Sequence, residues 1–186
     1  MTDDIRRDAD SRMSRALEAL ERDMGAIRTG RAATALVERI TVEYYGTQTP
    51  LNQLASISVP EPHMIAIQPW DRSALSSIEK AIMKSDVGLT PNTDGTMVRL
   101  SIPPLTEERR RDLVRLVHKR MEEARVEIRN HRREVADEIK RAEKDGDLGA
   151  DDSRRELETL QKVTDRWTAE VDRVGKHKEQ EILEVA

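Results

Sequence analysis

The chain has 186 residues, 37% hydrophobic and 37% charged, with a formal net charge of -4 and a mean hydropathy of -0.71. Only Trp70, Trp167, Tyr44 and Tyr45 are aromatic, which excludes a thick globular core and suits long amphipathic helices that bury a narrow aliphatic stripe. Without cysteine there is no disulfide, thiolate nucleophile or thiolate metal site, and no apolar run approaches a membrane span or secretory leader, so a soluble cytoplasmic protein is expected.

Residues 3–28 place Ile5, Ala9, Met13, Ala16, Leu20 and Ile27 at helical spacing, with Thr2 as a cap and Gly30 as a stop. Over residues 38–45 the period changes to two. Ile40, Val42 and Tyr44 share one strand face, and residues 46–50 supply turn chemistry. Leu54, Ile57 and Val59 predict a second strand, Pro60 and Pro62 a turn, and residues 64–68 a third strand. Asp71 caps a helix with Leu75, Ile78, Ala81 and Ile82 that ends near Gly88. Pro91, Asn92, Asp94 and Gly95 then mark a loop before a strand over 97–102.

Pro103 and Pro104 close this α+β segment. Thr106, Glu107 and Glu108 read as a helix start, and the pattern then runs without Pro or Gly to Lys144, a rod roughly 55 Å long at 1.5 Å per residue. After Gly146 and Gly149, Asp151 or Asp152 caps a last helix whose stripe is Leu157, Leu160, Thr164, Trp167, Val171 and Val174. None of the three long helices can bury its stripe alone. The expected fold is therefore α+β: an elongated three-helix bundle of residues 1–30 plus 105–186, with a small β/α/β domain of residues 31–104 inserted. Hinges fall near 30–31 and 103–105, where Gly30 and Arg31 face Pro103 and Pro104.

The middle helix carries two series. Leu113, Val117, Met121, Ala124, Ile128, Val135 and Ile139 form the apolar one. Arg111, Arg115, His118, Glu122, Arg125, Arg129 and Arg132 recur at steps of four and three, roughly 200° round the helix. Basic residues outnumber acidic ones in this helix and the reverse holds in the last, so a polyanion should meet the former. A planar guanidinium fork matches phosphate geometry, which makes the stripe a candidate nucleic-acid face. The interleaved glutamates leave open a second reading, a solvated face held by i,i+4 pairs.

Residues 27–32 (IRTGRA), 42–47 (VEYYGT), 79–82 (EKAI) and 103–109 (PPLTEER) carry a family resemblance. Gln53 to Ala55, Ser85-Asp86, Gly88-Leu89, Arg125-Val126, Arg129-Asn130, Arg132-Arg133, Gln161-Lys162 and Thr164-Asp165 extend it in order along nearly the whole chain. Together they resemble the bacterial ribosome recycling factor family. The resemblance implies a bundle flexibly joined to a small β/α/β domain, an L shape of tRNA-like dimensions. It implies binding to the post-termination ribosome and, with elongation factor G and GTP, its dissociation into subunits. It implies no catalytic centre and no cofactor of the chain's own. Within the family the bundle lies against large-subunit ribosomal RNA, so Arg132 and Arg129 are implied contacts. Arg28, Arg31 and Arg110 match basic positions near the hinge, and Arg125 shares the stripe. A monomer is expected.

A coiled-coil adaptor would share the periodicity but not account for the inserted domain, and an RNA- or ribosome-binding protein without recycling activity is the other alternative. His63, His118, His131 and His177 are too scattered in sequence for a metal site. His131 stands where the family usually has an aliphatic residue, next in phase after Ile128, and is expected on the packed face. Strand alternation puts one ring of Tyr44-Tyr45 inside and one outside, so a structural role is preferred over a base-stacking pair.

Overall fold

The computed structural model describes residues 2–184. In chain order the elements are α1 (Thr2–Ala26), β1 (Thr41–Tyr44), β2 (Thr47–Pro50), β3 (Ala55–Glu61), β4 (Met64–Pro69), α2 (Leu75–Lys84), β5 (Pro91–Thr93), β6 (Val98–Ser101), α3 (Glu107–Lys144) and α4 (Ala150–Glu184). The class is α+β. Contacts separate the chain into a helical unit, residues 2–28 with 107–184, and a mixed unit, residues 29–106. Thr29, Gly30, Leu105 and Thr106 thus group with the mixed unit.

In the helical unit all seven residues of the apolar series on α3 are buried, facing Ala9, Met13, Ala16, Leu20 and Met24 of α1. Side-chain pairs set the helix directions. Arg6 meets Glu156 and Trp167 meets Asp10, so α1 and α4 run parallel, while Arg12–Glu134 with Asp23–Arg120, and Arg132–Gln161 with Arg125–Asp172, set α3 antiparallel to both. Glu156 lies on the buried seam of α4, and Arg6 compensates its charge with two hydrogen bonds, Nε to Oε2 at 2.8 Å and Nη2 to Oε1 at 2.5 Å. Trp167 is half-buried, and its Nε1–H donates to Asp10 Oδ1 at 2.9 Å, so it serves packing as expected.

Several helix details differ from expectation. The side chain of Thr2, read as a cap, lies outside the described residues. Helix α1 stops at Ala26, where Ile27 N–H bonds back to Met24 O at 3.2 Å, so Gly30 lies beyond its end instead of stopping it. Asp151 and Asp152 sit within the first turn of α4, favourable to its dipole, while Ser153 N–H bonds to Gly149 O at 2.8 Å. The seam of α4 runs from Val171 to Gly175, Lys178 and Ile182, leaving Val174 only partly covered.

His131 is not a core residue. Its side chain is 22% exposed and lies 3.6 Å from Glu127 and 3.3 Å from Glu134, the latter shared with Arg12 of α1. The ring lies at the edge of the packed face, between two carboxylates of its own helix.

The mixed unit holds an antiparallel sheet of order β3-β4-β6-β5 and a separate β1-β2 hairpin, with α2 packed against them. Val37, Val42, Leu51, Ile65, Ile67, Ile78, Ile82, Val98 and Leu100 form its core. Two segments whose composition suits turn or loop are strands. Residues 47–50 pair with β1 across a two-residue turn in which Tyr45 (φ 48°) and Gly46 (φ 76°) are both left-handed, the geometry that suits a tight hairpin. Pro91–Thr93 pairs with β6 at the sheet edge, where a proline costs no ladder bond. Pro60 belongs to β3, beside an irregularity between Ser58 and Glu61. Asp71 caps a 3-10 turn over Arg72–Ala74, with Oδ1 accepting from Ser73 N–H at 2.9 Å, and α2 continues from there.

Candidate nucleic-acid interface

The stripe on α3 is one face, as its spacing requires, but its guanidinium groups are committed to very different degrees. Arg111 pairs with Glu107, and Arg115 with Asp112 at 3.3 Å, both within the same helix. His118 Nε2 lies 3.0 Å from Glu179 of α4. Arg125 is the most engaged. Its Nε donates to Asp172 Oδ1 at 3.2 Å, its Nη2 bonds the same oxygen, and its Nη1 reaches Glu122 at 3.3 Å. The hydrogen bond to Asp172 raises its pKa above the usual guanidinium value, and the side chain is 29% exposed. It ties α3 to α4.

Arg129 is half exposed, and its Nη2 donates to Glu122 Oε1 at 2.6 Å. That bond, with the one from Arg125, holds the Glu122 carboxyl below its usual range. Arg132 differs. Its contact is Nη1 to Gln161 Oε1 at 3.4 Å, a long bond to a neutral amide, and no carboxylate lies within 4 Å of it among the described residues. Gln161 is itself oriented, its Nε2–H donating to Asp165 Oδ1 at 2.8 Å. Arg132 is thus steered from α4 yet keeps most of its donors available. Gln161 and Asp165 had a sequence signal, since both lie in matched segments, but no role had been attached to them. Arg133 is exposed and off the stripe.

The remaining candidates are spread over both units. Arg28, at the border of the helical unit, and Arg31, in the mixed unit, are exposed and without an ion-pair partner among the described residues. Arg110 is half-buried near the start of α3. Gly30 has φ 74°, and an ideal Cβ there would lie 3.2 Å from Leu105 Cγ, 3.4 Å from Leu105 N and 3.5 Å from Pro103 O. Two features of this position restrict it to glycine: a left-handed backbone and a close passage of the other connection.

His63, unassigned in sequence, ties that passage down. Its Nδ1 lies 2.9 Å from Gly30 O, and because a carbonyl only accepts, Nδ1 carries the proton. Its own carbonyl accepts from Ile102 N–H at 2.7 Å, and the neighbouring Pro62 O accepts from Ala32 N–H at 2.8 Å. One β-turn therefore holds both connecting segments within the mixed unit.

Among the described residues no His, Asp and Glu cluster could hold a metal ion, and no helix is long and apolar enough to cross a membrane. A family model for ribosome recycling factor matches residues 20–183. The chain is 54% identical over 185 residues to the ribosome-recycling factor of Shouchella clausii (strain KSM-K16), and 49% identical over 185 residues to that of Bacillus subtilis (strain 168). In each comparison both chains are covered completely. A solution structure of a ribosome recycling factor superposes with a TM-score of 0.73 at 47% identity, covering 99% of this chain and 98% of that one. A second solved structure, models of the T. thermophilus ribosome recycling factor and the E. coli elongation factor G bound to the E. coli post-termination complex, matches with a TM-score of 0.61 at 45% identity, covering 98% and 99%.

Proposed function

The chain belongs to the ribosome recycling factor family, and from that premise we propose that it binds the post-termination ribosome and, with elongation factor G and GTP, promotes its dissociation into subunits. The observation that carries this is full-length identity of 54% to a relative of that name, over both units at once. An adaptor that merely shared helical periodicity would not be matched through the mixed unit.

The helical unit is the part that docks on large-subunit ribosomal RNA. Arg132 leads that contact and Arg129 supports it. A phosphate oxygen can accept from the free edge of Arg132 without breaking an ion pair, whereas Arg129 must share its guanidinium with Glu122. Arg28, Arg31 and Arg110 supply further positive charge. Arg125 enters through its hold on Asp172, which keeps α3 and α4 in register and so positions Arg132.

The mixed unit is the part moved during splitting. Gly30, Arg31, Pro103 and Pro104 belong to the hinge region, and the bonds from His63 and Pro62 make these residues a stiff base for it. Bending then falls on the short stretches between this base and the helices. The chain works as a non-enzymatic, monomeric wedge in the cytoplasm, and elongation factor G supplies the nucleotide chemistry.

The test is light scattering of post-termination ribosomes with the cognate elongation factor G and GTP. The wild type should split them, and Arg132→Ala should bind roughly thirtyfold more weakly, the loss of one charge-assisted hydrogen-bonded contact of about 2 kcal/mol. A wild type that neither binds nor splits would overturn the assignment.

A further inference from the structure

The mixed unit carries a groove of about 740 Å³ between the β1-β2 hairpin and α2. Its walls follow from two periods. Arg39, Glu43 and Tyr45 fall at even spacing along the outward side of β1 and its flanks, opposite to buried Val42. Lys80 and Lys84, one turn apart on α2, form the facing wall, and Asp86 lies just beyond the helix end. Arg39, Lys80 and Lys84 are all exposed, and among the described residues none of them has a carboxylate within 4 Å. This contrasts with α3, where most arginines are already paired.

Tyr45 stands at the groove with 81% of its surface exposed. The left-handed turn fixes its backbone, and its ring meets Tyr44 edge-on with centroids 4.6 Å apart. Tyr44 is anchored in turn, its hydroxyl donating to Asp71 Oδ2 at 2.8 Å. A large apolar ring held in water by a braced neighbour is a stacking platform. Cations lining a channel beside an aromatic face are the physical pattern of single-strand recognition, in which phosphates track the charges and an unstacked base covers the ring.

From this arrangement we infer that the groove binds a single-stranded RNA segment, with Lys80, Lys84 and Arg39 on its phosphates and a base stacked on Tyr45. Glu43 and Asp86 fit the same ligand as acceptors for base amino groups. They disfavour a bare polyphosphate, which they would repel. A protein occupant fits less well, because protein interfaces are depleted in lysine and centre on apolar contacts, whereas this groove is walled by charged and polar groups. A duplex offers no free base face to the ring. The site lies in a different unit from Arg129 and Arg132 and does not depend on their role.

The experiment is fluorescence anisotropy of a short labelled oligouridylate with the full chain carrying Arg129→Ala and Arg132→Ala, which removes the α3 face as a competing site. This protein should still bind the oligonucleotide, and its affinity should fall steeply with salt. Adding Lys80→Ala with Lys84→Ala, or Tyr45→Ala alone, should each weaken binding by about tenfold or more. Tyr45→Phe should restore it, because stacking needs the ring and not the hydroxyl. All these side chains are exposed, and unchanged thermal unfolding of the variants separates binding from folding.

Loss of oligonucleotide binding in the Arg129/Arg132 background, or indifference to the groove substitutions, overturns the inference. So does a groove variant that keeps oligonucleotide affinity but loses elongation factor G, which would make the groove a protein-docking face. A background protein that binds the oligonucleotide yet fails to bind ribosomes would leave the groove standing and place ribosome docking on the α3 face alone.

Discussion

Met121 of α3 fills a hole that exists because residue 175 of α4 is glycine. A Cβ built on Gly175 would lie 2.1 Å from Met121 Sδ and 2.5 Å from both Cγ and Cε. The two helices approach through this gap, which is why the seam of α4 passes through Gly175. Gly175→Ala gains up to about 1 kcal/mol of helix propensity. Overpacking should outweigh that gain and leave the bundle about 1–2 kcal/mol less stable in urea unfolding. Adding Met121→Ala should cost less than the sum of the two single changes, since the partner of the clash is gone.

Arg125 and Arg132 share a stripe but should separate in experiment. Arg125→Ala removes bonds to Asp172 and Glu122 at a partly exposed position and should lower stability by about 1 kcal/mol. Arg132→Ala should leave stability within about 0.5 kcal/mol while weakening ribosome binding and reducing its salt slope by about one. Equal stability losses for both would contradict the division of roles.

Gly30→Ala must adopt φ near 74° and also displace Leu105. The left-handed backbone alone should cost about 1–2 kcal/mol in the mixed unit. Hydrogen exchange should accelerate at the amides of Ala32 and Ile102, which bond to the 62–63 turn. A Gly30→Ala protein with unchanged exchange at both amides would show that the turn does not brace this segment.

Asp94 closes the β5-β6 connection, its Oδ1 accepting from Thr96 N–H at 3.0 Å, Thr96 Oγ–H at 2.8 Å and Met97 N–H at 3.0 Å. These bonds, led by the Thr96 hydroxyl and aided by Arg99, hold its pKa at about 2 against an ordinary 3.8. A carboxyl depressed in the folded state stabilises above its unfolded value, and that stabilisation is lost as pH falls. The mixed unit should therefore weaken between about pH 4 and pH 2. Asp94→Asn, which keeps an acceptor oxygen without the charge, should flatten part of that slope, and urea midpoints measured across the range would show whether it does.

The long helices were legible in the sequence because an amphipathic stripe is local information. Each residue of the α3 series from Leu113 to Ile139 is buried for reasons that three-and-four spacing already states. The arginine face was legible for the same reason, and so was Asp71 as a capping residue. Tertiary structure decided what depends on a partner elsewhere in the chain. Residues 47–50 and Pro91–Thr93 become strands only by pairing, since neither has an apolar alternation of its own. Gly175 is a seam residue only because Met121 faces it, and Glu134, which flanks His131 on α3, is shared with Arg12 only because α1 packs there. Which arginine stays available was hidden in part: Glu122 lies on the stripe itself, whereas Asp172 and Gln161 reach it from α4 only through folding. Periodicity fixes the direction a side chain points, and only packing across distant segments determines what it meets there.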